Sequence, residues 1–251
     1  MNLIKFDEDK LEKAVIDLIK SKDYPHSKGK HIARRSEKDV LIEEDLKKYL
    51  KENYIDLTSN EIDKILFELE NISASDLYEA NKKFHNLIVN GKIIKREDSR
   101  KQDIFLNIIN RKPEKNIYRI VNQLQIVGSE KRIPDLIIYI NGIPVIVFEF
   151  KSAIRENTNI YDAYKQLTIT YKRDIPNIFK YNLFCIISDG VDNRAGPIFS
   201  TFDNFYTWRR SGLNKEIDAE GLMSLKTLID GMLNKKDLIN IIYDFIYFLT
   251  S

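Results

Sequence analysis

The stretch DLIIYINGIPVIVFEFK, residues 135–151, carries the strongest β-strand signal in the chain. Two apolar runs flank Asn141 and Gly142, a dipeptide typical of the tight turn between two antiparallel strands. The second run is apolar on both faces, which predicts a strand in the middle of a sheet. Charged side chains stand only at the ends of the stretch, at Asp135 and at Glu149 and Lys151. The sequence therefore predicts a buried hairpin that gathers three ionisable groups at one end.

These three groups fit one kind of chemistry. Strand alternation puts Glu149 and Lys151 on one face, and an ionised glutamate buried there is costly unless it is paired or binds a cation. Two carboxylates can hold Mg²⁺, which polarises a phosphoryl oxygen and activates water, while a lysine offsets the charge that develops. The pattern thus predicts phosphodiester hydrolysis, and a purely structural ion pair between Glu149 and Lys151 is the alternative.

The register of the hairpin decides whether Asp135 and Glu149 can share an ion. In a regular hairpin with a two-residue turn, Ile140 pairs with Ile143, and Asp135 falls on the wrong face for Glu149. A three-residue loop, with Gly142 as the left-handed residue of a bulge, brings the two carboxylates to one face. We therefore expect this bulged hairpin or a bend near Asp135.

The pattern of apolar residues changes along the chain. They recur at helical spacing through most of residues 1–112 and again after Ala219, whereas strand-like runs occupy the middle. We expect a single α/β domain over residues 1–251. It comprises a mainly helical N-terminal part at 1–112, a core at 113–210 with a mixed β-sheet flanked by helices, and C-terminal helices at 211–251.

Composition excludes several classes of protein. Apolar residues make up 43% of 251, and 40 Lys and Arg balance 38 Asp and Glu, which excludes a strongly charged disordered chain. The single cysteine, Cys185, excludes a disulfide framework and a cysteine-based zinc site. No apolar run approaches the roughly 20 residues that span a bilayer, and the charged N-terminus lacks a signal-peptide core. We expect a cytoplasmic protein with no membrane partner.

The motifs around the hairpin resemble a known family. Pro134-Asp135 followed by Glu149-Phe150-Lys151 resembles the PD-(D/E)xK nuclease superfamily. The wider pattern adds Asn122-Gln123-Leu124 upstream and Ile187-Ser188-Asp189-Gly190 downstream, and it resembles the nuclease segment of the R subunit of type I restriction enzymes. The likeness runs from about residue 5 to about residue 210. It implies a restriction-endonuclease-like fold and Mg²⁺-dependent hydrolysis of double-stranded DNA.

The resemblance also implies roles for particular residues. Asp135, Glu149 and Lys151 would be catalytic, and the Mg²⁺ would be held by Asp135, Glu149 and the backbone carbonyl of Phe150. Nucleases of this superfamily often carry an acidic residue on their first core helix, and Glu12 matches that position. A solvated helix face is the alternative for Glu12.

Further residues are candidates for contact with DNA. The family carries a Q-x-x-x-Y motif on the helix after the E-x-K strand, whereas here Gln166 is followed by Tyr171, one residue further along. On a regular helix these two side chains diverge, so either a helical bulge restores their alignment or Tyr171 is a packing residue. A basic cluster near the N-terminus offers either phosphate contacts or a solvated surface. Its members are Lys28, Lys30, Arg34 and Arg35.

The resemblance finally implies partners. A complete R subunit carries an ATP-driven DNA translocase downstream of the nuclease segment, and this chain has no phosphate-binding loop of that kind. We therefore expect the nuclease portion alone, without an ATP site, acting with the modification and specificity subunits of the complex. Two other functions stay open: a non-catalytic DNA-binding or assembly module with a nuclease fold, and a stand-alone nuclease of the same superfamily.

Overall fold

The computed structural model describes residues 7–72, 75–151, 159–208 and 222–248. Within them, a mixed sheet forms the centre of the fold and helices flank it. The strands are β1 (His26–Lys28), β2 (Lys92–Ile94), β3 (Ile104–Leu106), β4 (Tyr118–Asn122), β5 (Ile126–Val127), β6 (Lys131–Arg132), β7 (Leu136–Ile140), β8 (Ile143–Phe150), β9 (Phe184–Ser188) and β10 (Asn193–Gly196). The helices are α1 (Glu8–Lys20), α2 (Glu43–Asn53), α3 (Ser59–Glu70), α4 (Leu77–Asn90), α5 (Ile160–Lys165), α6 (Lys172–Asp174), α7 (Leu222–Met232) and α8 (Lys235–Asp244).

The central sheet has six strands in the order β1-β4-β7-β8-β9-β10. β1 runs parallel to β4 and β8 runs parallel to β9, whereas the other neighbours are antiparallel. The pairs β2–β3 and β5–β6 form two small separate sheets. The predicted α/β class with a mixed sheet flanked by helices is therefore confirmed.

Local sequence signals explain where the helices begin. α1 follows Asp7, whose carboxylate accepts a hydrogen bond from the backbone N–H of Lys10 at 2.9 Å. α3 follows Thr58, which forms a reciprocal capping box with Glu61. Of the C-terminal helices expected at 211–251, α7 and α8 are seen, and residues 209–221 and 249–251 lie outside the described residues. No helix in the described part of the chain is both long and apolar enough to cross a membrane.

The turn between β7 and β8 differs from the expected one. Ile140 pairs with Ile143, so the turn contains only Asn141 and Gly142. Both of these residues have positive φ, 53° and 76°, as a two-residue turn of the mirror-image type requires. The prediction of a three-residue loop with a bulge at Gly142 is therefore wrong.

A bulge lies instead inside β8. Tyr139 pairs with Pro144, whereas the residue before Tyr139 pairs with Ile146, so Val145 is the extra residue. Pro144 has no backbone N–H and cannot complete the hydrogen-bond ladder of a central strand, which favours a bulge at this position. The extra residue returns the two acidic side chains at the open end of the hairpin to one face.

At one edge of the central sheet, where several strands end, the side chains are polar. Because β7 runs antiparallel to both of its neighbours, the ends of β4 and β8 meet the start of β7. The ends of β1 and β9 lie at the same edge, since they run parallel to β4 and β8. We call this the polar edge. Its residues are Lys28, Asn122, Gln123, Asp135, Glu149, Lys151 and Ser188.

Candidate active site

Asp135 and Glu149 face each other at the polar edge. The last pair of the hairpin before this edge is Leu136 with Phe148, so Asp135 and Glu149 lie opposite each other one step further. Side chains opposite each other in an antiparallel pair have Cβ atoms about 4.5–5.5 Å apart. Oδ2 of Asp135 accepts a hydrogen bond from the backbone N–H of Phe150 at 2.7 Å. This bond fixes the Asp135 carboxylate beside that of Glu149.

Lys151 holds a positive charge against the same site. Its ammonium donates hydrogen bonds to Oε1 of Glu149 at 2.9 Å and to the carbonyl of Phe150 at 3.0 Å. The side chain of Lys151 is 14% exposed and that of Glu149 is 1% exposed. The backbone N–H of Lys151 donates to the carbonyl of Ser188 at 2.9 Å, which ties the residue to β9. Oε1 of Glu149 and the carbonyl oxygen of Phe150 therefore already bind one cationic group, the Lys151 ammonium.

Burial perturbs both carboxylates. It raises the pKa of Glu149 to about 8, and the neighbouring charge of Asp135 acts in the same direction while Lys151 opposes it. Burial also raises the pKa of Asp135 to about 6, although the Phe150 N–H and Lys151 lower it. Oε2 of Glu149 is buried and finds no hydrogen-bond partner among the described residues. Such an oxygen destabilises the fold until a proton or a cation binds it.

Glu12 reaches the same region from α1. Its two oxygens accept hydrogen bonds from the side-chain amides of Asn122 and Gln123, both at 2.6 Å. Its negative charge raises the pKa of Asp135, so the two acids interact. Glu12 thus holds α1 against the end of β4, and its role as a metal ligand stays a prediction.

His26 and the side chain of Asn122 are not among the residues that the sequence predicts for the site. Nε2 of His26 lies 2.9 Å from Oδ1 of Asn122, which in turn holds Glu12. His26 belongs to a three-residue strand, too short for a periodic pattern, and only the pairing of β1 with β4 reveals it. Asn122 and Gln123 did leave a signal, because they form part of the quoted family motif. Gln123 has a positive φ of 53° at the point where its amide bonds Glu12.

Residues Gln166–Tyr171 form a π-helical turn between α5 and α6. Such a turn brings side chains five residues apart onto one face, and Nε2 of Gln166 donates to the hydroxyl oxygen of Tyr171 at 2.7 Å. Of the two alternatives for Tyr171, the helical bulge is therefore present. The Tyr171 hydroxyl donates in turn to the carbonyl of Ile133 at 3.2 Å. Contact of Gln166 or Tyr171 with DNA stays a prediction.

The four residues of the basic cluster have different surroundings. The Arg34 guanidinium donates to two backbone carbonyls, at 3.0 and 2.8 Å, and Arg35 forms ion pairs with three acidic side chains. Both arginines therefore bind other parts of the chain. Lys28 is exposed at the end of β1, and Lys30, two residues beyond the strand, is also exposed. Contact of these four residues with DNA stays a prediction.

The donor atoms at the polar edge suit a hard divalent cation. Within the described residues, no three His, Cys, Asp or Glu side chains are grouped so that they could hold a metal ion by themselves. The site offers instead the carboxylates of Asp135 and Glu149 and the carbonyl of Phe150, all of them oxygen ligands. Mg²⁺ is commonly bound by one or two carboxylates together with several waters, so this set fits Mg²⁺.

Comparisons with known proteins agree with the motifs. A model of the family described as "Type I restriction enzyme R protein N terminus" matches residues 5–203. The type I restriction enzyme HindI endonuclease subunit of Haemophilus influenzae is 30% identical over 232 residues, which cover 90% of this chain and 22% of that protein. A Methanocaldococcus jannaschii protein, provisionally named the MjaIXP type I restriction enzyme endonuclease subunit, is 28% identical over 264 residues, covering 94% of this chain and 25% of that protein. The chain thus spans about a quarter of the length of these relatives.

Proposed function

Because this chain belongs to the family of N-terminal regions of type I restriction enzyme R proteins, we propose that it is the nuclease module of such a protein. It hydrolyses phosphodiester bonds of double-stranded DNA in a Mg²⁺-dependent reaction. Asp135, Glu149 and Lys151 are its catalytic residues. The site then belongs to the PD-(D/E)xK type of nuclease.

The observation that carries this proposal is Oε2 of Glu149, buried opposite Asp135 without a partner in the described part of the chain. Asp135, Glu149 and the Phe150 carbonyl would hold a divalent cation, whose charge would offset the repulsion between two acids that are buried side by side. When bound, Mg²⁺ supplies a Lewis acid for a phosphoryl oxygen and lowers the pKa of a bound water.

The remaining residues of the site have separate tasks. Lys151 orients the attacking water or neutralises charge that develops on the phosphoryl oxygens, because its ammonium already lies 2.9 Å from Glu149. Gln166 and Tyr171, aligned by the π-helical turn, contact the DNA backbone beside Ile133. Glu12 supports the site through the end of β4.

The proposed partners follow from the family. The two relatives are named as endonuclease subunits of type I restriction enzymes. We propose that modification and specificity subunits select the DNA, and that an ATP-driven translocase in the full-length subunit delivers it. This chain would then cut duplex DNA without reading its bases.

Metal titration tests the site without requiring the chain to cut DNA. Calorimetry with Mg²⁺ and Mn²⁺ is expected to show binding to the unaltered chain and its loss in Asp135→Asn and Glu149→Gln. Asp203→Asn removes the same charge from an exposed carboxylate elsewhere and is expected to bind like the unaltered chain. Equal binding by all variants would place any metal elsewhere and favour a non-catalytic module.

Cleavage tests the reaction itself. Hydrolysis of duplex DNA within the assembled restriction enzyme is expected to disappear in Asp135→Ala, Glu149→Ala and Lys151→Ala, while circular dichroism of each altered chain stays unchanged. Asp203→Asn is again the control. Full cleavage by any of the three site variants would rule out the assignment.

A further inference from the structure

A cleft of about 650 Å³ opens beside the candidate active site, between the β5–β6 hairpin and the helix that contains the π-helical turn. It lies outside the carboxylate pair and its lysine. The lining residues come from the hairpin segment on one side and from the helix on the other. Among them are Lys131, Arg132, Ile133, Lys165, Gln166 and Tyr171.

The floor of this cleft leads directly to the polar edge. The hydroxyl of Tyr171 donates to the carbonyl of Ile133 at 3.2 Å, and Ile133 stands two residues before Asp135. Tyr171 also lies close enough to Glu149 and Asp135 that their charges add to the effect of burial in raising its pKa. A strand that follows the cleft floor therefore arrives at the carboxylate pair.

The walls of the cleft carry positive charge that the protein only partly neutralises. Lys131 is exposed and has no ion pair among the described residues. Lys165, whose side chain is 45% exposed, pairs with Asp162 at 2.8 Å and lies 5.2 Å from the ring centre of Tyr161. Asp162 is the acidic residue that lines the cleft, opposed by three basic residues that also line it, Lys131, Arg132 and Lys165.

A buried acid fixes the hairpin wall in place. The carboxylate of Asp174, 1% exposed, accepts hydrogen bonds from Arg132 at 2.7 Å and from Arg173 at 2.6 Å. The backbone N–H of Ser129 donates to the Asp174 carbonyl at 2.9 Å. A Cβ on Gly128 would lie 2.0 Å from that same carbonyl oxygen, so only glycine allows this approach. These contacts anchor the hairpin wall of the cleft to Asp174, at the end of the helical wall.

We propose that this cleft binds the phosphodiester backbone of the DNA strand adjacent to the bond that is cut, with Lys131 and Lys165 contacting phosphates from opposite walls. The inference rests on the proposed function and adds the path of the strand. Lysine ammonium groups are point charges on flexible stems, so they bind phosphates without selecting a base. The exposed side chain of Ile133 then lies against deoxyribose.

Salt-dependent DNA binding tests the cleft. Binding of the chain to two duplexes of unrelated sequence is measured in EDTA by fluorescence anisotropy over a range of salt concentrations. Each of Lys131→Gln and Lys165→Gln is expected to weaken binding to both duplexes about fivefold to tenfold at 0.1 M salt, and to lower the slope of log K against log salt by about 1. Lys131→Arg and Lys165→Arg keep the charge and are expected to keep the slope.

Lys236→Gln is the matched control. Lys236 is an exposed lysine in α8, and the neighbouring Lys235 lies near the ring of Tyr118, at the end of β4 remote from the polar edge. Any of three results would overturn the proposal. They are a salt-dependence slope unchanged in both cleft variants, a loss of DNA affinity in Lys236→Gln equal to theirs, and no measurable DNA binding at low salt. Because EDTA removes the metal, these outcomes are independent of the catalytic site. Polyglutamate that binds with the same lysine dependence while DNA does not would identify an acidic protein partner instead.

Discussion

At the scale of single residues, Glu149 shows how a functional site opposes stability. Its pKa is about 8 in the folded chain, above the ordinary value of 4.5, chiefly because it is buried. The folded chain therefore binds more protons than the unfolded chain at intermediate pH. The contribution of this residue to the free energy of unfolding falls as pH rises from about 4.5 to about 8. A bound cation removes this penalty, because it stabilises the ionised form.

The same shift predicts that metal binding is linked to protons. At pH 7 a cation must displace a proton from Glu149, whereas Asp135, with a pKa of about 6, is mostly ionised. We expect the affinity for Mn²⁺ to rise about tenfold per pH unit between pH 6 and 8 and to level off above pH 8. Calorimetry in two buffers of different ionisation enthalpy should show about one proton released per cation at pH 7. An affinity independent of pH, or no proton release, would contradict the raised pKa.

The sequence predicts these residues better than it predicts their partners. An acid at each open end of an apolar hairpin is a conspicuous signal, and the structure does bring Asp135, Glu149 and Lys151 together. The hydrogen bond from the Phe150 N–H to Asp135, by contrast, depends on the backbone path at the strand end. Strand alternation gives the face of a side chain but not which backbone N–H it accepts from.

At the scale of elements, two one-residue irregularities align the site. The extra residue Val145 in β8 puts the carboxylates on one face, and the π-helical turn puts Gln166 and Tyr171 on one face. The sequence indicates both irregularities, because a regular hairpin and a regular α-helix would each put the paired side chains on different faces. A helical bulge between Gln166 and Tyr171 was one of two alternatives, and the structure has it, whereas the hairpin bulge was expected at the turn and lies at Val145. Several hairpin registers satisfy the same alternation, and Pro144 excludes a regular ladder only once the strand is known to be central.

Removing the extra helical residue tests the second irregularity. Deletion of Ile169, whose side chain is 57% exposed, leaves Gln166 and Tyr171 four residues apart, so a regular α-helix would align them. We expect the deletion variant to fold, with a free energy of unfolding within about 1 kcal/mol of the original, because no buried side chain is lost. Denaturant unfolding and DNA cleavage measure the outcome.

The control for this deletion is Ile169→Ala, which keeps the length of the segment. Both variants are expected to retain cleavage, because each leaves Gln166 and Tyr171 on one face. A deletion variant that folds but loses cleavage, beside an active Ile169→Ala, would show that the π-helical geometry itself is required. A deletion variant that fails to fold would show that the buried side chains after the turn cannot rotate into register.

At the scale of the whole molecule, described side chains of the N-terminal helices and of the central sheet belong to one hydrophobic core. The family comparison confirms the resemblance to type I R subunits that the motifs indicated, and its match includes α1 and α2 together with the sheet. Helical spacing predicted these helices from sequence. It could not predict that β1 would add to the sheet beside β4, because three residues, His26–Lys28, carry no periodic signal. Side-chain contacts between distant segments secure that arrangement.

Arg119 in β4 is the side chain that joins three of these elements. Its guanidinium donates two hydrogen bonds of 2.6 Å to the carboxylate of Asp45 in α2 and one of 3.0 Å to the hydroxyl of Ser27 in β1. The Asp45 side chain is 4% exposed and that of Arg119 is 26% exposed. Loss of the carboxylate charge therefore leaves a partly buried cation without its counter-ion.

We expect Asp45→Asn to lower the free energy of unfolding by about 1–3 kcal/mol, because a charge-assisted, two-pronged contact is lost while Arg119 stays in place. Glu52→Gln in the same helix is the control, since its pairing with Lys48 spans 3.9 Å between side chains more than half exposed. Urea unfolding measures both variants. If Asp45→Asn is no less stable than Glu52→Gln, packing alone holds α2 and β1 against β4, and the polar contact at Arg119 is dispensable. If only Asp45→Asn loses stability, the ion pair secures the β1 edge of the sheet, and with it the strand that carries His26 to the candidate active site.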